Sequence, residues 1–99
     1  MPTPPRLTPP QLTAALESLP GWELRNEKLH RVFRFGDFVR AFGFMASTAV
    51  AAEAMNHHPE WFNVYDRVEV DLTTHDAGGI TQSDVELAQR MNQLAGDAG

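Results

Sequence analysis

The stretch GDFVRAFGFMASTAVAAEAMNHHP, residues 36–59, decides the fold. Gly36 and Asp37 punctuate the chain, and Asp37 suits an N-cap because its carboxylate can accept the free N–H groups of a first helical turn. Phe38, Phe42, Met45, Ala49 and Ala52 follow at helical spacing, so one long helix with one buried stripe is predicted. It must end near Asn56, because Pro59 disfavours helical geometry at His58.

Working outward, each flank holds a hairpin and then a helix. Upstream, Trp22–Arg25 and Leu29–Phe35 read as strands around the polar turn Asn26, Glu27, Lys28, with Leu29, Arg31, Phe33 and Phe35 on one face. Before them, Thr8, Pro9, Pro10 and Gln11 match a capping box with proline at the first helical position. Leu12, Ala15, Leu16 and Leu19 give that helix its apolar stripe, and Pro20 with Gly21 stops it. Residues 1–7 read as a proline-restrained tail, and 8–96 as a single domain.

Downstream, Trp61–Tyr65 and Val68–Thr74 form a second hairpin. Its apolar pattern favours a three-residue turn, Tyr65–Arg67, pairing Val64 with Val68 and Phe62 with Val70, over a register that pairs Val64 with Glu69 and Phe62 with Asp71. Gly78 and Gly79 loosen the chain, then Thr81 and Asp84 form another capping box. The last helix turns Val85, Ala88, Met91 and Ala95 inward before a fraying GDAG tail. The order α-β-β-α-β-β-α defines an α+β domain, a four-stranded antiparallel sheet with three helices packed on one face. The other face and the edges stay open, which invites self-association.

Composition narrows the function. A formal charge of −5 repels phosphate backbones, and the 8 Lys and Arg form no basic run, so direct nucleic-acid contact is excluded as an expectation. With no cysteine there is no disulfide, no thiolate nucleophile and no cysteine zinc site. The longest apolar stretch, around Ala41–Ala54, is broken by Gly43, Ser47, Thr48 and Glu53, so no membrane span is expected. The opening MPTPPRLTPP lacks the apolar core of a signal peptide, and a cytoplasmic address is the default.

Histidine changes charge near neutral pH, and two of the chain's 4 stand side by side at a helix end. Pro59 holds His58 extended, so the imidazoles of His57 and His58 should diverge. Glu53, four residues after Ala49, turns toward the packed side and needs a partner, with His57 one turn further on. His75 ends the last strand, after Thr73 and Thr74. If that strand end lies beside the end of the central helix, His57, His58, His75, Glu53 and Trp61 converge on one cleft. Such a set suits general acid–base work on a flat polar ring, with imidazoles to move protons, a carboxylate to anchor ring N–H groups and an indole to stack.

Plainer readings stand beside this one. The macrodipole favours histidine at a helix C-terminus whatever it does there. His75 can be an ordinary strand-end residue, His30 a surface residue, Trp61 and Trp22 packing residues and Asp84 a helix cap. A metal set of His57, His58, His75 and Glu53 is the other sharp reading, but there is no HExxH pair and adjacent extended histidines point apart.

The segment EAMNHHPEWFNVYDRVEVDLTTHDAGGITQSDVELA, Glu53–Ala88, resembles the signature region of the pterin-4a-carbinolamine dehydratases, and LPGW at 19–22 and FGDFVRAFGFM at 35–45 are similar to the same family. The resemblance implies a hydro-lyase that converts a 4a-hydroxytetrahydropterin to the quinonoid dihydropterin and so recycles the cofactor of aromatic amino acid hydroxylases. It implies three helices on one side of a four-stranded sheet, homodimers or homotetramers, pterin as substrate and no further cofactor or metal. By position, His57 and His75 match the proton-transfer histidines, His58 the one that holds the pterin, and Glu53 its supporting carboxylate. Asn56, Thr73, Thr74 and Asp76 match pocket positions, and Trp61 and Asp84 the aromatic and acidic positions. Asn56 departs from the aspartate of the animal members. Two other roles stay open: a protein-binding dimerisation cofactor of transcription, as for some animal relatives, or a related step in pterin or molybdopterin metabolism.

Overall fold

The computed structural model describes residues 3–96, so the last three residues of the tail expected to fray lie outside them. Thr8 and Gln11 close the expected capping box and open helix α1 (Pro9–Glu17). Strands β1 (Glu23–Arg25) and β2 (Lys28–Arg34) follow, then helix α2 (Phe38–Met55), strands β3 (Glu60–Val64) and β4 (Arg67–Leu72), a single 3-10 turn (His75–Ala77) and helix α3 (Gln82–Ala95). The α-β-β-α-β-β-α order is the one read from the sequence. All pairings are antiparallel and the sheet order is β1-β2-β4-β3, so β4 carries the second hairpin back to the centre and β3 ends on an edge.

Both hairpin turns are tighter than expected. Asn26 and Glu27 alone turn the first, both at positive φ, and Lys28 already belongs to β2. In the second, Val64 pairs with Arg67 and Phe62 with Glu69, not with Val68 and Val70. Tyr65 and Asp66 make the turn, with Tyr65 at φ 51°. The expected register matched apolar residues across the strands. The edge strand instead points Phe62 and Val64 to the open face and Trp61 and Asn63 to the helix side, opposite Val70 and Val68.

The buried stripe of α2 also differs from the one read. Ala41, Phe44, Thr48 and Ala52 face the core, whereas Phe38, Phe42 and Ala49 are exposed. The helix is apolar on two sides, so its own pattern could not choose. Phe44 decides the rotation by packing on Phe33 and Phe35, with ring centroids 4.7 and 4.9 Å away. The core is completed by Leu19, Trp22, Leu29, Val68, Val70, Leu72, Leu87 and Met91. His30, expected on the surface, is buried in the middle of the open sheet face: Nδ1 meets Asp71 Oδ1 at 2.9 Å and Nε2 meets Arg25 Nη1 at 3.4 Å. Its neighbours on β1 and β4 cover it. No helix among the described residues is long and apolar enough to cross a membrane.

Thr48 Oγ1 is the buried side-chain polar atom without a hydrogen-bond partner among the described residues. Burying such a hydroxyl is unfavourable, so Thr48→Val, which keeps the shape, is expected to raise stability by about 1 kcal/mol. A denaturation midpoint that fails to rise would contradict this.

Candidate active site

The end of α2 sets the site. Asn56 takes the left-handed conformation (φ 51°, ψ 43°) and its N–H donates to the carbonyls of Ala52 and Glu53. The N–H of His57 reaches back to Ala52 O at 3.0 Å, closing the reversed turn that commonly ends helices. His57 is thereby thrown off the helix axis, and Pro59 holds His58 the other way. The adjacent imidazoles diverge as the sequence implies: His57 turns inward, its side chain 14% exposed, and His58 outward.

A cavity of about 250 Å³ opens between this helix end and the end of β4, lined by Asn56, His57, His58, Thr73, Thr74, His75 and Asp76. All the pocket positions named from sequence, and all three histidines, meet there. Glu53 and Trp61 do not. Glu53 is not turned to the packed side: its side chain is 80% exposed, and its Oε1 meets Nε2 of His58, not His57, at 2.8 Å. The helix that would have brought His57 over Glu53 has already ended. Trp61 packs partly buried against the core, inward from the edge strand.

Asp84 does more than cap. Fully buried, it closes the capping box of α3 with Thr81, and Oδ2 accepts from the Thr81 N–H at 2.9 Å and the Thr74 hydroxyl at 2.8 Å. Thr74 has one hydroxyl proton and gives it to Asp84, so in the 2.8 Å contact between Thr74 Oγ1 and Thr81 Oγ1 the donor is Thr81. With Oδ2 filled by donors, Oδ1 is left to face His57 Nε2 at 2.5 Å. We therefore place the His57 proton on Nε2, which leaves the lone pair of the neutral ring on Nδ1.

His75 is held from outside. It opens the 3-10 turn with its side chain 79% exposed, and its Nε2 meets Glu60 Oε2 at 3.0 Å. The other oxygen of Glu60 accepts from Lys28 Nζ at 2.6 Å. That ion pair holds the Glu60 carboxyl below the usual carboxylate range and raises Lys28 above its ordinary value. Because the folded-state pKa of Glu60 is depressed, its contact with His75 is kept through mildly acidic pH and lost only as pH falls through that lowered value. Glu60 was missed in the sequence, where the strand was read as starting one residue later, at Trp61. The signal available was its position two residues after the histidine pair, which Pro59 fixes at the head of β3.

Three imidazoles thus share one cavity, and each has Nε2 committed to a different carboxylate: Asp84, Glu53 and Glu60. Against this geometry, comparison with known proteins is decisive. Residues 5–94 match the family model described as Pterin 4 alpha carbinolamine dehydratase. A protein of Solibacter usitatus whose name places it in that family is 54% identical over 90 residues, covering 91% of this chain and 95% of its own. One from Rhizobium johnstonii is 51% identical over 92 residues, covering 91% of each. A Brucella melitensis crystal structure, titled transcriptional coactivator/pterin dehydratase, superposes with a TM-score of 0.90 at 48% identity over 92% of this chain and 99% of that one. A pterin dehydratase-like protein described as a RuBisCO assembly factor in the alpha-carboxysome shares the fold, with a TM-score of 0.66 at 23% identity over 77% of this chain and 90% of its own. The chain belongs to the pterin-4a-carbinolamine dehydratase family.

Proposed function

We propose that this chain dehydrates a 4a-hydroxytetrahydropterin to the quinonoid dihydropterin, with His57 and His75 moving the protons and His58 holding the heterocycle. The observation that carries the reading is the single cavity lined by His57, His58 and His75, each imidazole anchored through Nε2. In the reaction the bond from C4a to the hydroxyl oxygen breaks and the oxygen takes a proton to leave as water. The neighbouring ring nitrogen loses its proton, and its electron pair closes the C=N bond. One proton is given and one taken, so a pair of imidazoles suffices, and no electron passes to an acceptor. We assign the pterin as substrate, with no further cofactor in this step.

The residues divide the work by environment. Asp84, buried behind His57, stabilises the imidazolium formed when Nδ1 accepts a proton, which suits His57 to the ring nitrogen. His75, exposed on its turn, can return its proton to water between turnovers. Asn56, Thr73 and Asp76 offer polar groups to the edges of a pterin, and Glu53 orients His58. We place this activity in the cytoplasm, in the recycling of the cofactor of aromatic amino acid hydroxylases.

Self-association as a dimer or tetramer accompanies the proposal. Val39, Phe42 and Val50 of α2 are 79%, 58% and 73% exposed, an apolar face larger than scattered surface residues give. The same face favours a second reading, a protein-binding module like the coactivator named for the Brucella structure. Stopped-flow dehydration of 4a-hydroxytetrahydropterins with different C6 substituents separates them. The enzyme reading expects acceleration over the spontaneous reaction for at least one substrate, and the substituent dependence identifies the physiological pterin. No acceleration for any of them would overturn it.

A further inference from the structure

The Lys28–Glu60–His75 chain has a feature that its exposed position hides. His75 sits on a short turn where its own element gives it no packing, yet a catalytic imidazole must be held to within a fraction of an ångström. The hold comes from elsewhere. Glu60 is the first residue of β3 and Lys28 the first of β2, strands that are not neighbours, because β4 lies between them. Their 2.6 Å ion pair crosses the end of β4 where the chain leaves the sheet toward Thr73, Thr74 and His75. With Oε1 on Lys28 and Oε2 on His75, both oxygens of the carboxylate are in use on different partners, so its plane is fixed.

The proton inventory then settles the tautomer. Lys28 can only donate, so Glu60 stays an acceptor, and His75 must present Nε2–H to it. That bond is the same in the neutral ring and in the charged ring. His75 can therefore gain or lose a proton at Nδ1 without letting go of the sheet. Asp71, opposite Glu60 in the ladder, also carries a charge near this cluster, and its Oδ1 is taken by His30.

We propose that Glu60, clamped by Lys28, is a positioning residue that fixes the tautomer and direction of His75, so that its proton exchange runs through Nδ1. The kinetic part rests on the dehydratase reading; the structural part does not. Exposed ion pairs contribute little to stability, so variants at either position are expected to fold. The test is long-range ¹H–¹⁵N spectroscopy of histidine-labelled full-length protein at a pH where the rings are neutral, alongside steady-state kinetics. In wild type, His75 is expected as the Nε2–H tautomer. In Glu60→Ala the tautomers should mix and kcat fall about tenfold, a fraction of what general acid–base assistance supplies, with KM changed less than about twofold. Glu60→Gln, which keeps an acceptor oxygen, should recover part of both, and Lys28→Met should fall between wild type and Glu60→Ala. A tautomer unchanged in Glu60→Ala overturns the proposal, as does a lost tautomer with unchanged kcat or an effect confined to KM. If the wild type dehydrates no pterin, the dehydratase reading fails while the tautomer result still decides what Glu60 does.

Discussion

Asp84→Asn is expected to cut dehydratase turnover by about 10²-fold or more while the protein still folds. The buried carboxylate accepts three hydrogen bonds, from the Thr81 N–H, the Thr74 hydroxyl and His57 Nε2. An asparagine can keep its oxygen on the first two, which is enough to preserve the start of α3. Its NH₂ group then faces His57, and a donor there forces the imidazole to turn Nε2 into an acceptor and move its proton to Nδ1, the nitrogen the substrate needs. Loss of one charge-assisted bond in a dry site should also cost about 2 kcal/mol of stability. Steady-state kinetics with a urea midpoint on the same sample checks both. A kcat within about threefold of wild type would show that His57 does not depend on Asp84 for its tautomer.

Replacing the histidines singly should separate them by stability as much as by rate. His57→Ala and His75→Ala are each expected to lower kcat by about 10²–10⁴-fold, and the double variant by little more than the worse single, because the two act in one step. Stability should diverge. His57→Ala strips the partner from a fully buried carboxylate and is expected to destabilise the fold by about 3 kcal/mol. His75→Ala removes an exposed side chain on a turn and should leave the unfolding midpoint in place. His58→Ala should act mainly on KM, since that ring holds rather than transfers. Two single variants with full turnover would remove both histidines from the mechanism, and equal destabilisation would contradict the burial difference.

What the sequence made legible was set by local chemistry. The capping boxes at Thr8 and Thr81, the N-cap at Asp37 and the halt imposed by Pro59 each follow from a few adjacent residues, and the structure contains all of them. Element order follows from those stops. The features that were not legible depend on contacts between distant segments. The rotation of α2 was chosen by Phe33 and Phe35 meeting Phe44, since the helix pattern alone offered Phe38 and Phe42 equally well. The register of β3 was set by its place on an edge, where Phe62 and Val64 need not find apolar partners.

The same division runs through the site. His57, His58 and His75 could be gathered from sequence because a helix end and a strand end present them, while Asn56, Thr73, Thr74 and Asp76 were named through the family resemblance. The carboxylates could not be matched to their histidines in that way. The left-handed turn at Asn56 gave Glu53 to His58, burial gave Asp84 to His57, and β3 supplied Glu60 to His75 from a neighbouring strand. His30 was misjudged for the same reason: only the pairing of β2 with both neighbours covers it.

The most direct measurement is a crystal structure of the protein with a bound dihydropterin. The account expects the bicyclic ring in the cavity between the ends of α2 and β4, with Nδ1 of His57 and Nδ1 of His75 on either side of C4a and within hydrogen-bond reach of the ring nitrogen and of the position vacated by the hydroxyl. A pterin seated elsewhere, such as the groove between α2 and α3 lined by Val50, Met55 and Arg90, with those two imidazoles untouched, would contradict it.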